Sequence, residues 1–91
     1  MNIDLKFVRA QFPAFSEPTL EGWAFFENAG GSYPCQQFIT RLTDFYLKNK
    51  VQVNYPYPAS MLAGELMEAS YKRMADYLNV EDSEIHFGPS T

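Results

Sequence analysis

Four small or rigid residues, Gly88-Pro89-Ser90-Thr91, follow the alternating stretch at residues 84–87 near the end of the sequence. Small residues let backbone N–H groups approach a phosphate, and the hydroxyls of Ser90 and Thr91 can donate hydrogen bonds to its oxygens. A helix after such a turn would add the favourable partial charge of its N-terminus. The same residues also suit a simple strand-to-helix turn with Ser90 or Thr91 as the N-cap. The local sequence leaves both an anion site and a helix cap open.

A second polar segment, Asn28-Ala29-Gly30-Gly31, follows the apolar run at residues 23–26. The paired glycines permit positive φ angles or the close approach of a ligand, and the Asn28 amide offers both a donor and an acceptor. This composition is typical of a pocket edge. It is equally typical of a tight turn between two elements, and the four residues alone do not separate the two interpretations.

The remaining chemistry-bearing residues give no catalytic or metal site. Cys35 is the only cysteine and His86 the only histidine, so neither a disulfide nor a cluster of metal ligands is expected. Cys35 is interpreted as a small apolar residue and His86 as a packed or hydrogen-bonded one. The lysines fall on predicted helices or helix ends and are interpreted as solvated: Lys6, Lys48, Lys50 and Lys72. We therefore predict no catalytic residue within the chain.

Apolar spacing, caps and breakers define the elements that would position these residues. Three helices are predicted: one capped by Asp4 that runs to about Gln11, one from Pro34 to about Asn49, and one capped by Ser60 that runs from 61 to about Asn79. Two short strands are predicted at 23–26 and 84–87. Because two strands cannot form a stable sheet unaided, this order of elements predicts part of a larger α/β domain.

Composition limits the class of protein. The 91 residues are 46% hydrophobic and 20% charged, which is ordinary for a folded chain and unlike a disordered one. A net charge of −4 without a basic stripe argues against a nucleic-acid partner. The N-terminus lacks the apolar run of a signal peptide, and no apolar stretch is long enough for a membrane span. The default expectation is a cytoplasmic protein without a membrane partner.

Taken in order, several stretches resemble the N-terminal part of class V aminotransferases, with the cysteine-desulfurase-like branch the most similar. The resemblance covers nearly the whole chain and rests on order and spacing, since no single motif is decisive. The matching stretches are VRAQFPAF (8–15), GWAFFENAGGSYP (22–34), YPAS (57–60) and EIHFGPST (84–91).

The resemblance implies an α/β fold, namely the N-terminal portion of a fold-type I enzyme that uses pyridoxal 5′-phosphate (PLP) and is normally a homodimer. Residues 1–22 would be an N-terminal arm and 23–91 the start of the PLP-binding large domain. Asn28, Ala29 and Gly30 would lie at the substrate end of the active site, and Ser90 and Thr91 would bind the cofactor phosphate. The loop around Asn54 and Tyr57 would approach the active site or the partner subunit.

The function implied is a PLP-dependent transferase or lyase acting on an amino acid. The lysine that forms the Schiff base in this family lies far downstream of the matching stretches, and none of the four lysines here occupies its position. We therefore expect the 91-residue chain to be an inactive fragment of such an enzyme. The alternative is a small interaction module without catalysis, in which exposed aromatic residues such as Phe25, Phe26 and Tyr57 mark a partner surface.

Overall fold

The computed structural model describes residues 1–89 and divides the chain into two compact units, one formed by Met1–Phe45 and one that begins at Tyr46. The predicted domains at 1–22 and 23–91 follow the resemblance and stay a prediction. Residues 1–89 contain three α-helices, labelled α1 (Leu5–Ala10), α2 (Gln36–Asp44) and α3 (Pro58–Leu78). A π-helical turn occupies Phe45–Asn49, and 3₁₀ turns occupy Pro13–Ser16, Pro18–Leu20 and Asp82–Glu84.

In the first unit, helix α1 begins where the sequence predicts. The Asp4 carboxylate accepts a hydrogen bond from the Phe7 backbone N–H at 3.0 Å, which satisfies one of the free amides of the first turn. After the helix the chain turns at Pro13, and the Arg9 guanidinium lies 3.9 Å from the centre of the Phe15 ring. This cation–π contact and the proline hold the 3₁₀ turn against the short helix.

A polar contact joins α1 to the start of α2. The Gln11 carbonyl accepts from the Gln36 backbone N–H at 2.7 Å, and the Gln37 side-chain amide donates to the Gln11 side-chain oxygen at 2.6 Å. Cys35 is the N-cap residue of α2 and makes no side-chain capping bond. The Gln11 carbonyl therefore satisfies the Gln36 N–H, one of the free amides in the first turn of α2.

In the second unit, the loop before α3 is fastened to the first turn of that helix. The Ser60 hydroxyl is fully buried, accepts from the Tyr55 backbone N–H at 2.8 Å and donates to the Gln52 carbonyl. Helix α3 begins at Pro58, because Tyr57 before the proline is extended and the proline suits the first helical turn. The prediction that Ser60 caps the helix is therefore wrong: Ser60 lies inside the helix and its side chain holds the preceding loop.

Helix α3 ends in a Schellman motif. Asn79 adopts the left-handed conformation with φ 57°, the Val80 N–H donates to the Ala75 carbonyl at 3.0 Å, and the Asn79 N–H donates to the Asp76 carbonyl at 3.3 Å. The prediction that Asn79 ends the helix is confirmed. The chain then folds back along α3, where Ile85 is buried and the Phe87 ring meets the Tyr71 ring at 4.8 Å.

The predicted α/β fold class, with strands at 23–26 and 84–87, is wrong: residues 1–89 contain helices, turns and irregular chain but no strand. A β-strand requires a neighbouring strand whose backbone N–H and C=O groups form hydrogen bonds with its own. Residues 23–26 have no such neighbour in the described part of the chain. In the second segment, Glu84 closes a 3₁₀ turn, where it forms a reciprocal capping box with Glu81.

Little of the apolar side-chain surface is buried. The buried apolar residues are Ala63, Ala75 and Ile85, and the aromatic side chains of Phe26 and Trp23 are 92% and 73% exposed. The chain exposes 8359 Å². Two separate compact units of half its mass would together expose about 6,500 Å². The chain therefore exposes roughly 1,900 Å² more than two such compact units would.

Candidate functional site

The segment predicted to approach a substrate forms a closed loop in the first unit. The Phe25 and Tyr33 rings meet edge to face at 5.0 Å and close the base of the loop. Inside it, the Glu27 carboxylate accepts from the Gly30 backbone N–H at 2.8 Å. These two contacts bring Asn28, Ala29 and Gly30 together on one exposed bend. The loop is thus ordered by its own side chains rather than by a flanking strand.

Asn28 is the residue of this loop with the most suitable side chain for a ligand. Its Oδ1 atom accepts from the Ser32 hydroxyl at 3.1 Å. That bond fixes the amide so that its NH₂ group, which has no partner among residues 1–89, is left to donate to a further acceptor. A carboxylate or carbonyl oxygen is the natural complement of such a donor. Ala29 carries only a methyl group and Gly30 has no side chain, and the Glu27 carboxylate lies beside Gly30, where an added Cβ would be 3.2 Å from Glu27 Oε2.

The electrostatics of the loop oppose strong anion binding by this segment alone. Residues 25–33 contain no lysine, arginine or histidine, and they contain the carboxylate of Glu27. One oxygen of Glu27 accepts from the Gly30 N–H, so this acidic side chain lies within the loop itself. A carboxylate substrate would therefore need cationic groups from outside this loop.

The predicted phosphate ligands Ser90 and Thr91 lie outside the described residues. Of the same turn, Gly88 is described: a Cβ placed on it would meet nothing within 4 Å. The space beside Gly88 is therefore open, but no described side chain forms a phosphate site there.

The described lysines do not fit the Schiff-base role in a PLP site. All four are exposed; Lys72 pairs with Asp76 at 3.4 Å, and the ammonium of Lys50 lies 6.0 Å from the centre of the Tyr46 ring. An amine that reacts with a carbonyl at neutral pH is normally buried or placed beside another cation. We therefore derive no chemical step through the cofactor from these residues.

The other two residues considered for chemistry have ordinary surroundings. Cys35 is a half-buried free thiol at the start of α2, and His86 is exposed beside the buried Ile85. Within residues 1–89 no group of histidine, cysteine, aspartate or glutamate side chains is arranged to hold a metal ion. No helix in that part of the chain is long and apolar enough to cross a membrane.

The loop around Asn54 and Tyr57 in the second unit is predicted from sequence, but the contacts that hold it are not. Asn54 adopts the left-handed conformation with φ 63°, and its backbone N–H donates to the Ser60 carbonyl at 3.3 Å. Its side chain lies against Gly64 of α3, where an added Cβ would overlap the Asn54 Oδ1 atom. Asn49 adds a bond from its side-chain amide to the Ala59 carbonyl at 3.4 Å. The sequence feature that could have indicated this contact is Gly64, an isolated glycine inside a helical pattern.

Comparison with known proteins adds no relative: no family model, no curated protein and no solved structure matches this chain significantly.

Proposed function

We propose that these residues are the N-terminal part of a PLP-dependent aminotransferase class V or cysteine desulfurase-like enzyme that acts on an amino acid. The observation that carries the proposal is the closed Asn28–Gly30 loop, in which Ser32 fixes the Asn28 amide and leaves its NH₂ group free to meet a substrate carboxylate. The ordered resemblance of the surrounding stretches supports the same assignment. PLP would supply the electron sink for the reaction.

In this proposal the chain contributes substrate contacts rather than catalysis. Residues 25–33 contain no cation, and the four lysines are exposed. Both observations support the proposal that residues outside this chain bind the cofactor and the charged groups of the substrate. The full enzyme would be a cytoplasmic homodimer, with Ser90 and Thr91 as phosphate ligands. The excess exposed surface supports the presence of covering polypeptide.

The test is to trap the cofactor on the natural protein that carries these residues. Borohydride reduction followed by peptide mass spectrometry is expected to find a PLP-modified lysine outside residues 1–91, and unmodified Lys6, Lys48, Lys50 and Lys72. No PLP adduct on any peptide would refute the cofactor assignment. An adduct on one of these four lysines would refute the inactive-fragment proposal instead.

A second function that we propose is a small interaction module without catalysis, which would use the same exposed surface to bind a partner. Large aromatic side chains are far more exposed than a stable isolated domain usually leaves them, with Phe26 at 92% and Trp23 at 73%. A cooperative thermal transition of the purified 91-residue chain would support this function. A broad transition with dye-binding apolar surface would support the fragment.

A further inference from the structure

The closed loop at residues 25–33 holds one acidic side chain in a defined position. The Glu27 Oε1 atom accepts from the Gly30 backbone N–H at 2.8 Å. A Cβ added to Gly30 would lie 3.2 Å from Glu27 Oε2 and 3.5 Å from Oε1, so both carboxylate oxygens lie beside this glycine. Because the donor is a backbone N–H of the loop itself, the carboxylate is held on the same exposed bend that carries Asn28 and Ala29.

The Glu27 carboxylate is not paired with a cation in the described part of the chain. Within residues 1–89, its Oε2 atom has no hydrogen-bond partner and no lysine, arginine or histidine forms an ion pair with it. Residues 25–33 contain no cationic residue and no second acidic one, so Glu27 carries the one formal charge of this segment. The side chain is exposed and is therefore accessible to a ligand on the bend.

The structure of the loop does not itself require a charge at position 27. The hydrogen bond to the Gly30 N–H needs only an acceptor, and the amide oxygen of a glutamine would accept it equally well in geometry. The contact between the Phe25 and Tyr33 rings closes the loop without any charged group. The negative charge is therefore a property that the loop can use in recognising a ligand.

We propose that Glu27 selects the amino-acid substrate by charge: the site disfavours amino acids whose side chain carries a carboxylate and accepts those with a neutral or cationic side chain. This inference rests on the proposed function, in which Asn28, Ala29 and Gly30 contact the substrate. A substrate at these residues lies close to the Glu27 carboxylate, since that group lies beside Gly30. All amino acids share the α-carboxylate, so only a second carboxylate in the side chain distinguishes one from another.

The size of this selection follows from the repulsion between two carboxylates. At a separation of about 7 Å, two unit charges of the same sign weaken binding about threefold in bulk water and about 50-fold at the effective dielectric constant near a protein surface. An exposed loop that a bound substrate partly covers lies between these limits. We therefore expect Glu27 to weaken the binding of an acidic amino acid about tenfold relative to its amide.

The experiment measures dissociation constants by isothermal titration calorimetry on the natural full-length protein that carries these residues. The ligands are two matched pairs, glutamate with glutamine and aspartate with asparagine, because the members of each pair have nearly the same shape and differ in charge. The wild type should bind each amide more tightly than the corresponding acid. Glu27→Gln keeps the acceptor for the Gly30 N–H and removes the charge, so it should lower the ratio of the two dissociation constants about tenfold.

Glu17→Gln is the matched control for the change in net charge. The Glu17 carboxylate also accepts from a backbone N–H close in sequence, that of Thr19 at 3.4 Å, but it lies in a 3₁₀ turn outside the loop. This variant should leave the ratio of dissociation constants unchanged. Salt gives a second control: between about 0.05 M and about 1 M the wild-type ratio should fall several-fold, because the Debye length shortens to about 3 Å, whereas selection by shape would not change.

The outcomes separate this inference from the proposed function. If the wild type binds none of the common amino acids, the proposed function is refuted and the inference is refuted with it. If the wild type binds amino acids but prefers the acids, or if Glu27→Gln changes both members of a pair equally, charge selection by Glu27 is refuted while the proposed function stands. An equal change of the ratio in Glu17→Gln would likewise refute it, since the effect would then come from net charge alone.

Discussion

The loop before α3 can be tested most sharply at Gly64, a buried glycine inside the helix. An Ala at an open helical position is favoured over Gly by about 1 kcal/mol. At Gly64, however, the new Cβ would overlap the Asn54 Oδ1 atom, and it would also lie 3.1 Å from the Asn54 Cγ atom and 3.6 Å from its backbone nitrogen. Asn54 cannot easily withdraw, since its backbone is bonded to the Ser60 carbonyl.

Overpacking of this kind costs about 1–3 kcal/mol. Set against the gain in helix propensity, Gly64→Ala should lower the free energy of unfolding by roughly 1 kcal/mol. In an Asn54→Gly background the obstructing side chain is gone, and glycine keeps the left-handed conformation that position 54 requires. There the same Gly64→Ala change should raise the free energy of unfolding by about 1 kcal/mol.

The assay is urea denaturation followed by far-ultraviolet circular dichroism on the four proteins of this double-mutant cycle. The coupling free energy between positions 54 and 64 should be about 2 kcal/mol, with the effect of Gly64→Ala changing sign between backgrounds. If Gly64→Ala has the same effect with and without the Asn54 side chain, the packing described for this loop is wrong. If Gly64→Ala also lowers the slope of the unfolding free energy against urea concentration, the unfolding is not two-state.

Three further predictions concern single capping and anchoring residues, each measured by the same denaturation assay. Asn79→Ala should cost about 1 kcal/mol because alanine tolerates the left-handed conformation poorly, while Asn79→Gly should stabilise the chain or leave it unchanged. Ser60→Ala should cost about 1–3 kcal/mol, since it removes the partner of the Tyr55 N–H and of the Gln52 carbonyl at a buried position. Asp4→Ala should cost about 1 kcal/mol and Asp4→Asn much less, because the amide oxygen of asparagine also caps.

Sequence predicted the features that depend on neighbouring residues. Asp4 caps α1 and Asn79 ends α3, because each acts on backbone groups within a few positions of itself. The predicted start of α3 is wrong because serine has two uses near a helix start. A serine near a helix start suits a cap, but the proline at 58 begins the helix earlier and leaves Ser60 to hold the loop.

The prediction of two strands is wrong for a different reason. Short alternating apolar runs such as 84–87 become strands when another strand pairs with them, and the sequence of one run does not supply that partner. In the second unit this run instead packs on α3, where Ile85 is buried and the Phe87 ring contacts the Tyr71 ring. The contact between Asn54 and Gly64 was beyond sequence reasoning as well, because it depends on how a left-handed residue aims its side chain across ten positions.

The candidate substrate loop can contribute only part of the affinity for an amino acid. A neutral hydrogen bond such as the one the Asn28 amide can offer is worth about 0.5–1.5 kcal/mol net. Even a millimolar dissociation constant requires about 4 kcal/mol. With no cation in residues 25–33 and the Glu27 carboxylate in the same loop, the loop falls well short of that value. If Asn28 does contact a substrate, the larger share of its binding energy comes from charged groups elsewhere. Measurable binding of an amino acid to the 91-residue chain would therefore mean that other residues of this chain, and not groups outside it, supply the larger share of the binding energy.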